Sequence, residues 1–350
     1  MPETAPDVGE HKGACPLIFK PVHIQENEMV ATPKRKTTRL KELYNRKGKP
    51  LICISAPSPY AAKILEDMGY EYTFAAGGVT GTAMLGMPDN GTIGLSEFVA
   101  MAKLIGDAVS IPVACDVDTC FGGIFHVERA TSELIRAGLA GMRIEDQPFV
   151  GKRFGGMVGK EVIPVKEAVA KYRVAIDTRN ALDPDFQIIA RCEALTASNS
   201  RGLPEAIERM QAYKEAGVDV LHIEGPRTVD EIKAVRAAVK GPLTGNFYNL
   251  PDDLTPEESV ELGLCESRYP ALLSSAMNAA AFEMLDAFNK KGYQGVRDFF
   301  KLFSGKIDQR TIDMSAQKRV REMEEKYLPA EMLDKYATVP SGSGVMTGSK

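Results

Sequence analysis

Hydrophobic and polar positions form a regular pattern from Pro50 onward, in which short apolar runs are separated by longer stretches of helical composition. Eight of the short runs have the length and composition of buried parallel strands. The predicted strands are Leu51–Ser55, Tyr72–Ala75, Pro112–Asp116, Gly141–Glu145, Gln187–Arg191, Asp219–Glu224, Pro242–Asn246 and Cys265–Tyr269. The helices that follow them are predicted at Tyr60–Gly69, 96–109, His126–Ala137, Val165–Asp177, 203–216, 228–239, 256–263 and Ala271–Lys290.

Eight strand-then-helix units in succession predict an α/β protein built as a (β/α)8 TIM barrel with right-handed crossovers. A doubly wound sheet is the alternative, but that fold rarely needs eight units and its dinucleotide-binding fingerprint is absent here. We predict an N-terminal extension over residues 1–36, a barrel catalytic domain over 37–304, and a C-terminal helical arm with a flexible tail over 305–350. A short helix at Lys36–Arg46 is expected to lead into the barrel.

Composition and charge narrow the classes of function. With 350 residues, 44% of them hydrophobic, the chain can bury the full core of one barrel domain. The net charge of −4, without basic clusters among aromatic residues, argues against nucleic acid as a partner. The six cysteines show no CxxC spacing, which disfavours disulfides or a zinc site and fits a reducing compartment. No apolar run approaches the ~20 residues of a membrane span and the N-terminus lacks a signal-peptide core, so we predict a cytoplasmic protein.

Polar side chains interrupt the predicted strands almost only at their C-terminal ends. These positions are Ser55, Gly77 and Gly78, Asp116 and Asp118, Glu145, Arg191 and Glu193, Glu224, Asn246, and Arg268 with Tyr269. In a TIM barrel, the C-terminal ends of all strands meet at one mouth, and that face carries the chemistry. A single aspartate at such an end would most simply cap the next helix. Several acids and an arginine that converge on one mouth instead predict a functional site.

The acids among these residues suggest a metal site. Mg²⁺ prefers oxygen ligands, usually one or two carboxylates completed by water and substrate oxygens. We therefore predict that Asp116, Asp118 and Glu145 hold Mg²⁺, or Mn²⁺, directly or through its waters. Arg191 offers a planar fork that suits a substrate carboxylate. A site of this kind stabilises the enolate of a 2-oxo acid, because the metal neutralises charge that develops on oxygen.

The remaining mouth residues are predicted to contact the substrate. Glu224 and Asn246 could orient its polar groups. Gly77 and Gly78 lack side chains, so their backbone N–H groups could approach an anion closely. The expected ligand is a small 2-hydroxy or 2-oxo carboxylate.

Five motifs carry a family resemblance. They are Asp116-Val-Asp118-Thr-Cys-Phe-Gly, Ile144-Glu-Asp-Gln147, Lys152-Arg153-Phe154-Gly155-Gly156, Ala190-Arg191-Cys192-Glu193-Ala194 and Gly245-Asn246. In this order the chain resembles the isocitrate lyase/phosphoenolpyruvate mutase superfamily over roughly residues 37–303, and within it the methylisocitrate lyase and dimethylmalate lyase branch. The resemblance implies a Mg²⁺-dependent enzyme that acts on 2-oxo or 2-hydroxy acids through an enolate. It also implies a homotetramer with exchanged C-terminal helices.

Together with the strand-end pattern, the resemblance gives a full set of predicted site residues. The predicted catalytic residues are Arg191, Lys152, Arg153 and Glu224, and the predicted substrate-binding residues are Ser55, Ser58, Gly77, Gly78, Glu193 and Asn246. Lys152 and Arg153 belong to a glycine-rich loop over 148–160, the gate, which we expect to be mobile and to close onto an anionic ligand.

The sequence also departs from the lyase pattern. The lyase branch has Lys-Lys/Arg-Cys-Gly-His in the gate, where the cysteine transfers a proton, but here Phe154 and Gly156 replace the thiol and the histidine. Ser58 stands where an aspartate is usual after the first strand. Cys120 and Cys192 flank the predicted site, so either could replace the missing thiol, although packing is the simpler role for both.

Three hypotheses of function follow. The leading one is a Mg²⁺-dependent carbon–carbon lyase that cleaves a 2-hydroxy di- or tricarboxylate by a retro-aldol step. The alternative is an oxaloacetate-type decarboxylase or acetylhydrolase, in which water can protonate the enolate and the lost thiol matters less. The third is a barrel that has lost catalysis and acts as a binding protein, which the retained carboxylates oppose.

Overall fold

The structure, a computed structural model, describes residues 34–252, 254–303 and 317–337. Within them, eight parallel strands form one sheet in the order β7-β6-β5-β4-β3-β2-β1-β8. The strands are β1 Ile52–Ser55, β2 Thr73–Ala75, β3 Val113–Asp116, β4 Gly141–Glu145, β5 Gln187–Cys192, β6 Val220–Glu224, β7 Leu243–Asn246 and β8 Ser267–Arg268. The Cys265 N–H donates to the carbonyl of Leu243 at 2.8 Å, which brings the two edges of the sheet together. The predicted TIM barrel is therefore confirmed.

Helices follow every strand. They are α1 Lys36–Asn45, α2 Pro59–Asp67, α3 Thr82–Leu85, α4 Leu95–Ala108, α5 Ile124–Arg136, α6 Val165–Leu182, α7 Leu203–Glu215, α8 Val229–Ala238, α9 Pro256–Glu261, α10 Leu272–Lys291, α11 Tyr293–Lys301, α12 Gln317–Tyr327 and α13 Ala330–Ala337. The sequence pattern missed α11, the short α3, and the π-helical turn Gly77–Gly81 before it. Such turns disrupt the ordinary helical period and often occur at functional sites.

Two hydrophobic clusters hold the barrel. The larger one lies between the outer face of the sheet and the helices. The smaller one, which includes Cys53, Phe74 and Ile189, combines alternate strand residues with the side chains of α1. The guanidinium of Arg143 lies 4.8 Å and that of Arg268 4.4 Å from the centre of the Phe74 ring. Both guanidinium groups thus lie over the Phe74 ring, where cation–π attraction contributes to the stability of the barrel.

The strand register determines which polar side chains are neighbours at the C-terminal ends of the strands. It pairs Asp116 with Arg143, Glu145 with Arg191, and Glu224 with Asn246 on adjacent strands. Because successive side chains of a strand point to opposite faces, these residues and their i−2 neighbours share the inward face. The register therefore brings the predicted site residues together at the C-terminal mouth.

The C-terminal helices differ from those around the barrel. None of the residues of α10, a helix of 20 residues, is buried, whereas α4 to α7 each bury four or more. Within the predicted C-terminal arm over 305–350, the structure contains α12 and α13, and the first residues of that arm lie outside the described part of the chain. The extension over residues 1–33 and the tail from 338 also lie outside it. In the described ranges, no helix has the length and apolar character needed to cross a bilayer.

Candidate active site

The predicted metal-binding acids lie at the ends of β3 and β4. Asp116 Oδ2 accepts a hydrogen bond of 2.6 Å from Arg143 Nη2, while Asp116 Oδ1 is buried without a hydrogen-bond partner. Glu145 Oε1 is likewise buried and unpartnered. Asp118 follows β3 with a left-handed backbone (φ 47°), and its carbonyl accepts the Glu145 N–H at 2.9 Å. That bond ties the two strand ends together and turns the Asp118 side chain toward the mouth.

Lys152 of the gate is buried among these acids. Its Nζ lies 2.9 Å from Asp118 Oδ1 and 4.0 Å from Glu145 Oε1, and it also pairs with Asp89. Asp89 comes from the glycine-rich passage after β2, and its carboxylate covers Gly77 and Gly78. One ammonium group therefore holds three carboxylates from three separate segments.

Arg191, at the end of β5, is surrounded by carboxylates. Its Nη2 lies 2.5 Å from Glu193 Oε1 and its Nε 3.3 Å from Glu224 Oε2. Its Nη1 lies 3.7 Å from Glu145 Oε2 and 3.8 Å from Asp116 Oδ2. Burial opposes the charge of Arg191, but the surrounding carboxylates prevail and raise its pKa. The guanidinium is thus a fixed positive charge at the centre of the mouth.

Glu224 is oriented by its neighbours on β6 and β7. Its Oε2 accepts hydrogen bonds from Asn246 Nδ2 at 2.7 Å and from the His222 ring at 3.1 Å. Burial and the nearby arginines lower the pKa of His222 well below its usual value, so the ring is neutral. Glu224 Oε1 remains buried without a partner and is free to accept a proton or a hydrogen bond.

The acids of the mouth differ in protonation. For Asp116, burial works against ionisation, but Arg143 and Arg191 outweigh it and lower the pKa. Burial raises the pKa of Asp118 to about 6 against the attraction of Lys152, with Asp89 and Asp116 adding repulsion. Burial also raises the pKa of Glu145, although Arg191 and Lys152 oppose the shift. The ionised forms of Asp118 and Glu145 are therefore the ones that an additional positive charge at the mouth would stabilise.

The gate lies closed on the site. Tyr248 donates a hydrogen bond of 2.7 Å to the Gly155 carbonyl, and Lys160 pairs with buried Glu193. A Cβ on Gly155 would lie 2.5 Å from Glu224 Oε1 and 2.6 Å from Arg191 Nη2, so the Gly155 backbone touches both side chains. The predicted loop is thus a cover over the mouth, and its glycine at 155 is required by the close approach.

Adding a methyl group to Gly155 is expected to hold the gate open. Glu224 and Arg191 are buried and ion-paired, so neither can move to accommodate a Cβ. We expect Gly155→Ala to lower kcat/KM by about 10²-fold, the scale of a 1 Å displacement in an active site. Gly156→Ala is the matched control, because its Cβ would meet only the ring of Phe154, which is half exposed. Equal activity of Gly155→Ala and the parent in steady-state kinetics would refute the close approach.

The cysteines near the site do not replace the lost thiol. Cys192 Sγ is buried and directed to the Ala206 carbonyl in α7, 3.9 Å away and outside the barrel. Cys120 is fully buried, and this burial raises the pKa of its thiol to about 12. Both cysteines therefore belong to the packing. Phe154 is half exposed, with its ring over Gly78.

Some predicted residues are not in the cluster. The Ser58 hydroxyl oxygen accepts the Ala61 N–H at 3.2 Å and caps α2. Asp89, and not Ser58, supplies a carboxylate to the mouth from the passage after β2. Arg153 is exposed, and its backbone N–H and carbonyl both bond to the Gln147 amide. Ser55 is buried on β1, with a hydroxyl that has no partner in the described part of the chain.

The sequence pattern missed four contributors, namely Asp89, Arg143, Lys160 and Tyr248. Arg143 had a signal, because a charged residue two positions before Glu145 in an apolar strand must face the same way. Asp89 had none, since an aspartate within a glycine-rich loop is an ordinary turn residue.

The mouth fits a divalent cation by its charge. Asp89, Asp116, Asp118, Glu145, Glu193 and Glu224 face Arg143, Lys152, Lys160 and Arg191. Six formal negative charges against four positive ones leave an excess of two. Over the ranges described, no three acidic, His or Cys side chains already surround a common point. Mg²⁺ commonly keeps several waters and needs only one or two carboxylates, so the unpartnered oxygens of Asp116 and Glu145 suffice.

Comparison with known proteins places the chain in a family. The profile of the phosphoenolpyruvate phosphomutase family matches residues 40–287. The protein belongs to the phosphoenolpyruvate phosphomutase family. Among curated members, it is 33% identical over 294 residues to 2,3-dimethylmalate lyase of Eubacterium barkeri, covering 83% of this chain and 97% of that protein.

Two solved structures are also similar to this chain. One is oxaloacetate acetylhydrolase in complex with the inhibitor 3,3-difluorooxalacetate, with a TM-score of 0.74, 28% identity, and coverage of 83% of this chain and 96% of that one. The other is phosphonopyruvate hydrolase in complex with oxalate and Mg²⁺, with a TM-score of 0.73, 27% identity, and coverage of 85% and 100%. The prediction of an enzyme of this superfamily, a carbon–carbon lyase, is confirmed by the family match and by the similarity to 2,3-dimethylmalate lyase.

Proposed function

We propose that this member of the family is a Mg²⁺-dependent lyase that cleaves a 2-hydroxy di- or tricarboxylate resembling dimethylmalate or methylisocitrate. The proposal rests on the charges at the mouth, where the acidic side chains exceed the basic ones by two. The Arg191 guanidinium is fixed there among four carboxylates. A divalent cation would balance the acids, and Arg191 would bind a carboxylate of the substrate. The similarity to 2,3-dimethylmalate lyase supports the same class of substrate.

Asp116 and Glu145 would hold the metal through their unpartnered oxygens, and Asp118 and Asp89 would hold its waters. The bound ion would supply a Lewis acid that neutralises negative charge on a substrate oxygen. Lys152 would keep these carboxylates together and contribute positive charge to the same region. The structure of the phosphonopyruvate hydrolase relative with Mg²⁺ supports the choice of ion.

The proton of the 2-hydroxyl group would pass to Glu224. Its Oε1 has no partner and its Oε2 is fixed by Asn246 and His222, so the carboxylate is oriented before substrate arrives. As the hydroxyl becomes a carbonyl, the carbon–carbon bond breaks and its electron pair remains on the second product as an enolate. Glu224, which holds the hydroxyl proton, would then return that proton to the enolate carbon and give the second carboxylate product. Gly77 and Gly78 lie in the first turn of a π-helix, where backbone N–H groups lack intrahelical acceptors and could bind an anion.

The closed gate would exclude water without donating a proton, because Phe154 has no acidic hydrogen. The absence of a proton donor at position 154 of the gate favours a second candidate, an acetylhydrolase or decarboxylase acting on oxaloacetate, in which a water bound before the gate closes would take part in the chemistry. The similarity to oxaloacetate acetylhydrolase supports that candidate. A barrel that only binds a ligand has less support, since a protein without catalysis has no need for six carboxylates around one lysine and one arginine.

Product analysis distinguishes these functions. The protein would be incubated with Mg²⁺ and dimethylmalate, methylisocitrate or oxaloacetate, and the products identified by NMR. We expect a 2-oxo acid and a second carboxylate in equal amounts from one of the first two substrates. Oxalate with acetate, or pyruvate with CO₂, from oxaloacetate alone would establish the second candidate. No turnover of any of the three would favour the binding protein.

We also propose that the protein is cytoplasmic. It would form a homotetramer in which the subunits exchange their C-terminal helices. Helix α10 exposes large apolar side chains, including Phe282 and Leu285, along a helix that buries nothing within the described chain. Such a surface is typical of an interface between subunits. The mass in solution, measured by light scattering, tests the assembly.

A further inference from the structure

Tyr248 is the residue outside the predicted site that contacts the gate at its centre. It follows β7, two positions after Asn246, and its hydroxyl donates to the Gly155 carbonyl at 2.7 Å. The residue is 48% exposed, so packing in the core does not fix its ring. The hydroxyl also lies next to Gly225, where a Cβ would approach it to 3.2 Å. Tyr248 therefore spans from the rim of β7 to the gate above β6.

Gly155 is the point where the gate touches the proposed chemistry. Its backbone lies against Glu224 and Arg191, as the close approach of a Cβ at that position demonstrates. The gate is also held on either side of Gly155, where Lys152 pairs with Asp118, Gln147 bonds the backbone of Arg153, and Lys160 pairs with Glu193. The hydrogen bond from Tyr248 acts directly on the Gly155 carbonyl.

We propose that Tyr248 is a positioning residue that latches the closed gate over Arg191 and Glu224. The phenol holds the Gly155 carbonyl, and the carbonyl holds the backbone against the two side chains. Burial and the charge of Glu224 both raise the pKa of Tyr248, so the hydroxyl keeps its proton and remains a donor throughout the neutral range. The latch belongs to the site of the proposed function, but gate closure can be measured without any turnover.

Limited digestion with trypsin measures the closed population. Cleavage after Arg153 requires the gate to leave the mouth, because both backbone groups of Arg153 are bonded to Gln147. When opening is fast, the cleavage rate follows the fraction of open molecules. We expect Tyr248→Phe, which removes only the hydroxyl, to speed formation of the fragment that ends at Arg153 by about five-fold, the effect of one hydrogen bond. The fragment is quantified by mass spectrometry, and the midpoint of thermal unfolding should not change.

Tyr269 provides a matched control on the neighbouring strand end. Its hydroxyl donates to the Leu254 carbonyl at 2.8 Å, the same kind of bond at the same rim but not to the gate. Tyr269→Phe should leave cleavage after Arg153 at the rate of the parent. Equal rates for Tyr248→Phe and the parent, or equal acceleration by both variants, would overturn the latch.

A second readout uses the absence of tryptophan from the chain. Phe154→Trp places a single indole on the gate over Gly78, where its emission reports the position of the loop. In that background, Tyr248→Phe should shift the emission to longer wavelength, and oxalate with Mg²⁺ should be needed to shift it back. Gly155→Ala should produce the same shift by itself, and adding Tyr248→Phe to it should change nothing more, because both act on one contact. Additive shifts would show that Tyr248 does not act through Gly155.

Discussion

Replacing Asp116 by asparagine is expected to abolish Mg²⁺-dependent turnover, with a loss on the order of 10³-fold in kcat. Asp116 has one oxygen bonded to Arg143 and one buried oxygen without a partner, and only the second is free for a metal ion. Asparagine has nearly the same size as aspartate and can still form hydrogen bonds, but it carries no negative charge. Calorimetric titration should show Mg²⁺ binding weakened by about 10²-fold, a scale observed when the surroundings of a metal ion are changed.

Asparagine is the informative substitution because Arg143 is buried. Alanine would leave that guanidinium without a counterion, which costs about 3–5 kcal/mol and confounds loss of metal with loss of fold. Asp219→Asn is the matched control, since Asp219 pairs with Arg179 at the same 2.6 Å but lies before β6, at the opposite end of the barrel. The control should lose stability and keep metal affinity. Full activity of Asp116→Asn, or of the parent in excess EDTA, would reject the metal site.

Replacing Arg191 by lysine should lower kcat/KM by about 10²-fold, equivalent to about 3 kcal/mol. Lysine keeps the positive charge among Glu193, Glu224 and Glu145, so the electrostatic balance of the mouth is preserved. It cannot form two parallel hydrogen bonds to one carboxylate, which the planar guanidinium can. The loss should therefore appear for every substrate that shares the bound carboxylate.

Arg179→Lys provides the comparison, because Arg179 pairs with Asp219 away from the mouth. Its kcat/KM should match that of the parent. If Arg191→Lys also retains the kcat/KM of the parent, the substrate carboxylate is held elsewhere, and Arg191 serves only to balance the acids around it. Steady-state kinetics with two substrates that differ beyond the shared carboxylate separate these outcomes.

The barrel and most of the acids at its mouth follow from the local pattern of the sequence. Parallel strands buried on both faces are continuous apolar runs, so their ends are visible wherever a carboxylate interrupts them, as at Asp116, Glu145 and Glu224. Because all strands of a parallel barrel end on one face, the pattern also predicted that these side chains would meet. The predicted roles of the site residues remain predictions, although most of these residues lie together at the mouth, with Ser58 and Arg153 outside the cluster.

Which basic side chains pair with the acids, and how the gate covers them, depends on contacts between segments that are distant in sequence. Asp89 reaches the cluster from a loop, and its pairing with Lys152 does not follow from a local pattern. The contact of Gly155 with Arg191, and its hydrogen bond from Tyr248, join segments that lie far apart in sequence. The periodicity of a strand depends on residues that are close in sequence, whereas the path of a loop depends on its contacts with distant parts of the fold. For that reason the sequence predicted which residues face the mouth, and the fold decided which of them touch.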